Sequence, residues 1–116
     1  MIDDFGYYWG TCMKYIPRDT AHLFTANRMD GPVGCSGIGV LCKKAYGVNQ
    51  INHFCDMNLQ GNLFAHEIGH NCGAVHVGGN GYMMNPNVNY AQYGFSMQSI
   101  YQINAYLKTA TCLHYG

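Results

Sequence analysis

The sequence has 116 residues, the size of one domain with a limited core. Six basic and six acidic residues give a formal net charge of +0 at pH 7, and no basic run is present, so nucleic-acid binding has no electrostatic basis. No stretch reaches the roughly 18 apolar residues that a membrane-spanning helix needs. Because 48% of the residues are hydrophobic, we expect a folded domain rather than a disordered chain.

The first half of the sequence predicts one helix and three strands. Aromatic and apolar residues at helical spacing predict a helix over residues 3–16, which Pro17 would end. After it we expect a buried strand at 20–25, a turn at 27–32, an edge strand at 37–42 and a further strand at 46–54.

A second helix is predicted to begin after Asp56, whose side chain can cap it. Leu59 and Leu63 share a stripe with His66 and His70 at helical spacing, so the two leucines should pack in the core as the stripe passes into a polar site.

The end of the sequence predicts a long loop and a last helix. Residues 77–94 are rich in glycine and asparagine, and an irregular segment of this length is usually functional. Ser96 can cap the last helix, whose apolar face is predicted to contain Ile100, Ile103 and Leu107.

The stretch H-E-I-G-H-N-C-G-A-V-H, residues 66–76, predicts a metal site. His66 and His70 lie four residues apart and therefore leave one face of a helix together. Gly73 can adopt the left-handed conformation that ends a helix, which lets His76 return to the same point. Three imidazoles with a vacant fourth position are typical of a hydrolytic zinc site, with one catalytic Zn²⁺.

Glu67, the only glutamate in the sequence, lies beside the first of these histidines. It would touch a water molecule at the metal without binding the ion, which predicts a general base. The remaining histidines stand alone, and we interpret them as ordinary core or surface residues: His22, His53 and His114.

Six cysteines in so short a chain indicate an oxidising compartment and a disulfide framework, although reduced thiols in a cytosolic protein are the alternative. No C-x-x-C pair is present, which argues against a second zinc site of the finger type. No signal peptide is visible either, because the first residues lack a basic start and an apolar run.

The extended motif resembles the signature of the metzincin metallopeptidases. His-Asn after the second histidine and Gly-Ala before the third resemble the adamalysin or reprolysin branch, which contains snake-venom metalloproteinases and ADAM proteases. Residues 81–86, G-Y-M-M-N-P, look like the Met-turn of that branch, with Met84 as the Met-turn residue. The resemblance extends over residues 19–113.

This resemblance implies an α+β fold, a partial metzincin catalytic domain that occupies residues 1–116, with the family's upstream strands preceding Met1. A small mixed sheet, the zinc-binding helix, the Met-turn and a C-terminal helix would compose it. The resemblance also favours a disulfide between Cys42 and Cys112. The other four cysteines, Cys12, Cys35, Cys55 and Cys72, allow three pairings, and Cys72 could instead be a buried free thiol.

The function implied is a secreted or ectodomain zinc metalloendopeptidase that hydrolyses proteins. Zinc would be held by His66, His70 and His76, and Glu67 would act as general base. A protein or peptide substrate would lie extended along residues 37–41. The alternatives are an inactive zinc-binding fragment or interaction module, a disulfide-bonded interaction domain without metal, and a different zinc hydrolase.

Overall fold

A computed structural model describes residues 1–29, 31–51, 56–89 and 91–113. The fold is α+β, as predicted, with three helices and a three-stranded mixed sheet in the described part of the chain. In chain order the elements are α1 Ile2–Thr11, β1 Ala21–Thr25, β2 Gly34–Ser36, β3 Tyr46–Gln50, α2 Met57–Asn71 and α3 Met97–Leu107.

The helix α1 is shorter than predicted. It ends at Thr11, and the residues up to 16 form a separate turn closed by a hydrogen bond from Ile16 N–H to the Met13 carbonyl. Gly10 weakens the last helical turn, because glycine loses the most conformational freedom in a helix. The helix has no buried residue and packs against β3, where the rings of Phe5 and Tyr46 meet edge to face at 6.2 Å.

The sheet has the order β1-β3-β2, with β1 parallel and β2 antiparallel to β3. The strand β1 confirms the predicted element at 20–25, and β3 confirms the one at 46–54 as far as Gln50; residues 52–54 of that prediction lie outside the described residues. The central strand is the most buried, with Val48 and Asn49 both fully inaccessible. One face of the sheet contacts α2, the helix that carries the histidine motif.

The edge strand predicted at 37–42 is wrong; the strand lies at Gly34–Ser36 instead. The backbone N–H of Gly39 donates to the His70 carbonyl, and those of Val40 and Leu41 donate to the Asn71 carbonyl. The last carbonyls of a helix have no partner inside the helix and must find one elsewhere. The segment after β2 supplies these partners and is therefore not available for a sheet.

Both predicted helix caps are confirmed. The Asp56 carboxylate accepts a hydrogen bond from Leu59 N–H at 3.0 Å, and the Ser96 hydroxyl accepts one from Ser99 N–H at 3.1 Å. The predicted apolar face of α3 is confirmed only in part, because Ile100 is 42% exposed. Ile103 and Leu107 pack against a buried cluster that contains Leu41, Ala45, Cys72 and Ala110.

The disulfide expected from the resemblance is present between Cys42 and Cys112, which lie 70 residues apart in sequence. It joins the segment that follows α3 to the segment that follows β2. Within the described ranges, Cys12, Cys35 and Cys72 form no disulfide, and Cys72 is buried, as expected of a buried free thiol. Cys55 lies outside the described residues. Across the described ranges, every helix is too short or too polar to cross a membrane.

Candidate metal centre

Two of the three histidines of the motif project from consecutive turns of α2. His66 and His70 are 3% and 7% exposed, so their rings reach the site from inside the protein. The helix ends just after them, and Gly73 adopts the predicted left-handed conformation with φ of +93°. The turn sends the chain back, and it brings His76 to the solvent side of the same point.

The three rings converge on one point through their Nε2 atoms. The Nε2 atoms of His66 and His70 are 3.1 Å apart, those of His70 and His76 are 3.1 Å apart, and those of His66 and His76 are 3.2 Å apart. Nitrogens about 2.0–2.1 Å from a tetrahedral zinc ion would be separated by about 3.3–3.4 Å. The triangle therefore has the dimensions of a zinc site.

Hydrogen bonds at the other ring nitrogens decide which atoms face the centre. His66 Nδ1 lies 2.7 Å from the Met83 carbonyl, and His70 Nδ1 lies 2.7 Å from the Ala74 carbonyl. A carbonyl only accepts, so each Nδ1 donates, and the Nε2 atom of each neutral ring presents a lone pair. Two lone pairs facing each other repel unless a cation lies between them, so the donor set fits a metal ion.

Burial favours the neutral form that binds metal. The pKa of His66 is lowered to about 4, chiefly by burial; the hydrogen bond to the Met83 carbonyl opposes the shift, and the neighbouring histidines add to it. Burial and then His70 also lower the pKa of His76. A metal must displace any proton from its ligand, so these rings are ready to bind at neutral pH.

Glu67 is 4% exposed and faces β2. The Ser36 hydroxyl lies 2.5 Å from its Oε2 atom and 3.0 Å from its backbone carbonyl. Burial raises the pKa of Glu67, whereas the Ser36 hydrogen bond and His70 lower it. Glu67 and the three histidines line one cavity of about 500 Å³, whose other walls come from β2 and from the loop after His76.

Met84 is fully buried beneath this site. A Cβ atom on Gly69 would lie 2.5 Å from its Sδ atom, so the thioether packs against the helix between the two histidines. Its neighbour Met83 supplies the carbonyl that holds His66. The loop therefore supports the histidines from below, which is the position expected of Met84.

Side-chain amides hold the loop 77–94 in place. Asn62 Nδ2 donates to the Asn89 carbonyl at 2.7 Å, and Gln92 Nε2 donates to the Tyr82 carbonyl at 3.0 Å. Such bonds join residues that are far apart in the sequence, so no local sequence pattern predicts them. Ser36 is a similar case, because its contact with Glu67 joins two residues 31 positions apart in the sequence.

The interpretation of His22 as an ordinary packed residue is confirmed. Its Nε2 lies 3.0 Å from Asn71 Oδ1 and its Nδ1 lies 3.2 Å from Asn49 Nδ2, so both ring nitrogens are used away from the metal centre. His53 and His114 lie outside the described residues.

Comparison with known proteins agrees with this geometry. Residues 16–77 match the family model described as "Metallo-peptidase family M12B Reprolysin-like". A "Zinc metalloproteinase-disintegrin-like" protein of Cerberus rynchops is 39% identical over 84 residues, which cover 68% of this chain and 13% of that protein. The chain thus spans about an eighth of this curated relative.

The fold also matches a solved structure. The crystal structure of metalloproteinase-II from Bacteroides fragilis matches with a TM-score of 0.69 and 18% sequence identity, over 90% of this chain and 34% of that one. At this identity the match concerns the fold, and it supports the α+β assignment. With more than half of its residues matched by the family model, the chain belongs to the reprolysin-like metallopeptidases of family M12B.

Proposed function

We propose that this chain is a zinc-dependent metalloendopeptidase that hydrolyses peptide bonds in protein substrates. The observation that carries the proposal is the triangle of Nε2 atoms, since His66 and His70 each direct a lone pair at the same point. In the proposal these two residues and His76 hold the ion. A bound zinc ion supplies Lewis acidity, which acidifies a water molecule and polarises a substrate carbonyl.

Glu67 is the proposed general base. Its carboxylate accepts a proton from the attacking water molecule, whose oxygen joins the peptide carbonyl carbon. As the C–N bond breaks, Glu67 passes the proton to the leaving amine. Burial, which raises the pKa of this carboxyl, suits a group that must both take up and release a proton near neutral pH.

The proposed substrate site is the outer edge of β2, the side away from β3, in place of the expected one at 37–41. Gln50 N–H donates to the Val33 carbonyl at 2.8 Å, which identifies a hydrogen-bonded pair of the antiparallel ladder. The alternation of that ladder then directs the backbone groups of Gly34 and Ser36 away from β3. An extended peptide can bond to them as an added strand while its side chains enter the cavity.

We further propose that residues 1–116 belong to a single reprolysin-like catalytic domain that works in an extracellular setting. The Cys42–Cys112 bond supports this setting, because disulfides persist in oxidising compartments.

The test combines metal analysis with proteolysis. We expect roughly one zinc ion per purified chain, cleavage of an unfolded protein substrate, and loss of cleavage when a chelator is added. Glu67→Gln should keep the metal and lose the cleavage. A chain that binds zinc but cleaves nothing would be the inactive binding module, and a chain without zinc would be a metal-free interaction domain.

A further inference from the structure

The strand β2 presents two of its three residues to the Glu67 carboxyl group. Side chains alternate along a strand, so Gly34 and Ser36 face α2 while Cys35 faces the other side. Ser36 Oγ lies 2.5 Å from Glu67 Oε2, and the same oxygen lies 3.0 Å from the Glu67 backbone carbonyl. One hydroxyl therefore contacts both the side chain and the main chain of this residue.

Gly34 supplies the space that the carboxyl group occupies. A Cβ atom on Gly34 would collide with Glu67 Oε1 and would lie 2.7 Å from Leu63 Cδ1. Any larger residue would push the carboxyl group out of its place or open the contact between β2 and α2. Gly34 thus leaves space for the Glu67 carboxyl group on one side, and the Ser36 hydroxyl contacts this group on the other side.

The hydroxyl belongs to a rigid element. Ser36 is paired with Gly47, and the preceding residue of β2 is paired with Val48, which is fully buried at the centre of the sheet. Among the described residues, Ser36 is the one hydrogen-bond partner of the Glu67 carboxylate. The bond occupies Oε2 and leaves Oε1 free for a water molecule. A catalytic group must be held within about 0.5 Å of its productive position, and a strand does this better than a loop.

We propose that Ser36 is a positioning residue for Glu67: its hydroxyl orients the carboxylate, and Gly34 admits it. The proposal rests on the proposed role of Glu67 as general base. Because the hydroxyl contacts neither the metal-binding rings nor the backbone edge offered to substrate, it should govern the rate of the chemical step rather than binding.

The kinetic test uses Ser36→Ala and Ser36→Thr in the full chain, with Thr109→Ala as the matched control. Thr109 is exposed, and its hydroxyl also donates to a backbone carbonyl, that of Tyr106 at 2.7 Å. We expect Ser36→Ala to lower kcat about 10-fold with KM within about 2-fold of the parent, as loss of one bond to a charged group would do. Zinc content should stay unchanged, and Ser36→Thr should recover most of the rate.

A second readout does not depend on activity. Since Glu67 is the only glutamate, ¹³Cδ-glutamate introduced by cell-free synthesis gives a single carboxyl resonance. We expect Ser36→Ala and Gly34→Ala to shift this resonance in the metal-free chain, with Thr109→Ala leaving it in place. If the parent chain cleaves nothing, the proposed function fails. The carboxyl resonance then still shows whether Ser36 contacts the Glu67 carboxyl group. An unmoved resonance in Ser36→Ala, or a parental kcat, would overturn the proposal.

Discussion

The Sδ atom of Met84 lies 2.5 Å from the point that a Cβ atom on Gly69 would occupy. The ring of Phe95 approaches the same point to 3.1 Å. Gly69 is buried between His66 and His70 on α2, so the loop beneath the metal centre approaches the helix backbone more closely than any other residue type would permit. The separation of helix and loop is therefore set at this contact.

Gly69→Ala should destabilise the protein. The added methyl group must displace Met84 or Phe95, and overpacking of this kind costs about 1–3 kcal/mol. Chemical denaturation would measure the loss, and zinc affinity should fall with it because the Met83 carbonyl that orients His66 moves with the loop. Gly61→Ala is the control: Gly61 is exposed on the same helix with open space around it, and alanine there should stabilise by about 0.5–1 kcal/mol. Equal effects of the two substitutions would contradict the packing account.

His76→Ala should weaken zinc binding strongly while leaving the fold intact. His76 enters from the solvent side and is more exposed than the two helical histidines, so its removal leaves no buried cavity. If about 10–16 kcal/mol of zinc binding is shared among the ligands of a site, one ligand accounts for roughly 3 kcal/mol, or about 100-fold in affinity. Competition with a fluorescent chelator would measure it. An unchanged affinity together with normal folding would remove His76 from the set of ligands.

Reduction of the Cys42–Cys112 bond should lower stability by about 4 kcal/mol, the loop-closure entropy of the 70 residues it encloses. The loss arises because the unfolded chain gains conformational freedom when the bond is absent. In the folded protein, Cys42 adjoins the cluster against which Leu107 packs. Thermal unfolding of the Cys42→Ala and Cys112→Ala double variant, followed by circular dichroism, would measure it. A melting temperature equal to the parent's would show that the disulfide does not stabilise the folded protein.

His22 should make the protein less stable in mild acid. Burial lowers the pKa of His22, opposed by its hydrogen bond to Asn71, and its neighbours Asn49, Asn71, Thr20 and Phe64 carry no charge to offset the effect. The unfolded chain then binds this proton at a higher pH than the folded one. The His22 contribution is therefore complete above its unfolded pKa of about 6.5 and is lost progressively as the pH falls below it.

Denaturant unfolding of the metal-free chain at pH 7.5 and pH 5 would measure this loss. The drop in unfolding free energy between the two pH values should be smaller in His22→Gln than in the parent. Histidines at the metal centre contribute to both proteins equally and cancel in the comparison. An identical drop would show that His22 titrates alike in the folded and unfolded states.

The parts of the molecule that could be predicted from sequence are those decided within a few residues. Asp56 and Ser96 bond to amides three positions away, and the spacing of His66 and His70 on a helix already determines that they share a face. These local features do not depend on how the rest of the chain folds. The position of Cys42–Cys112 is different: it followed from the family resemblance, because spacing alone allows many pairings.

The parts that could not be predicted depend on partners distant in sequence. Residues 37–42 have a composition that suits a strand, but their amides bond to the His70 and Asn71 carbonyls some thirty residues later. Ser36 could not be selected either, because its importance depends on facing Glu67 across the interface of β2 and α2. Short glycine-rich segments have weak preferences of their own, so tertiary hydrogen bonds decide their conformation.

The bonds from Gly39, Val40 and Leu41 to the end of α2 have a consequence for evolution. The bonds themselves use main-chain atoms, but Gly39 has a φ of +62°, which favours glycine, and Leu41 is buried in the core, so both positions restrict which residues they accept. We therefore expect this segment to keep its attachment to α2 through evolution, while changes in which peptides are accepted arise at the residues that line the cavity.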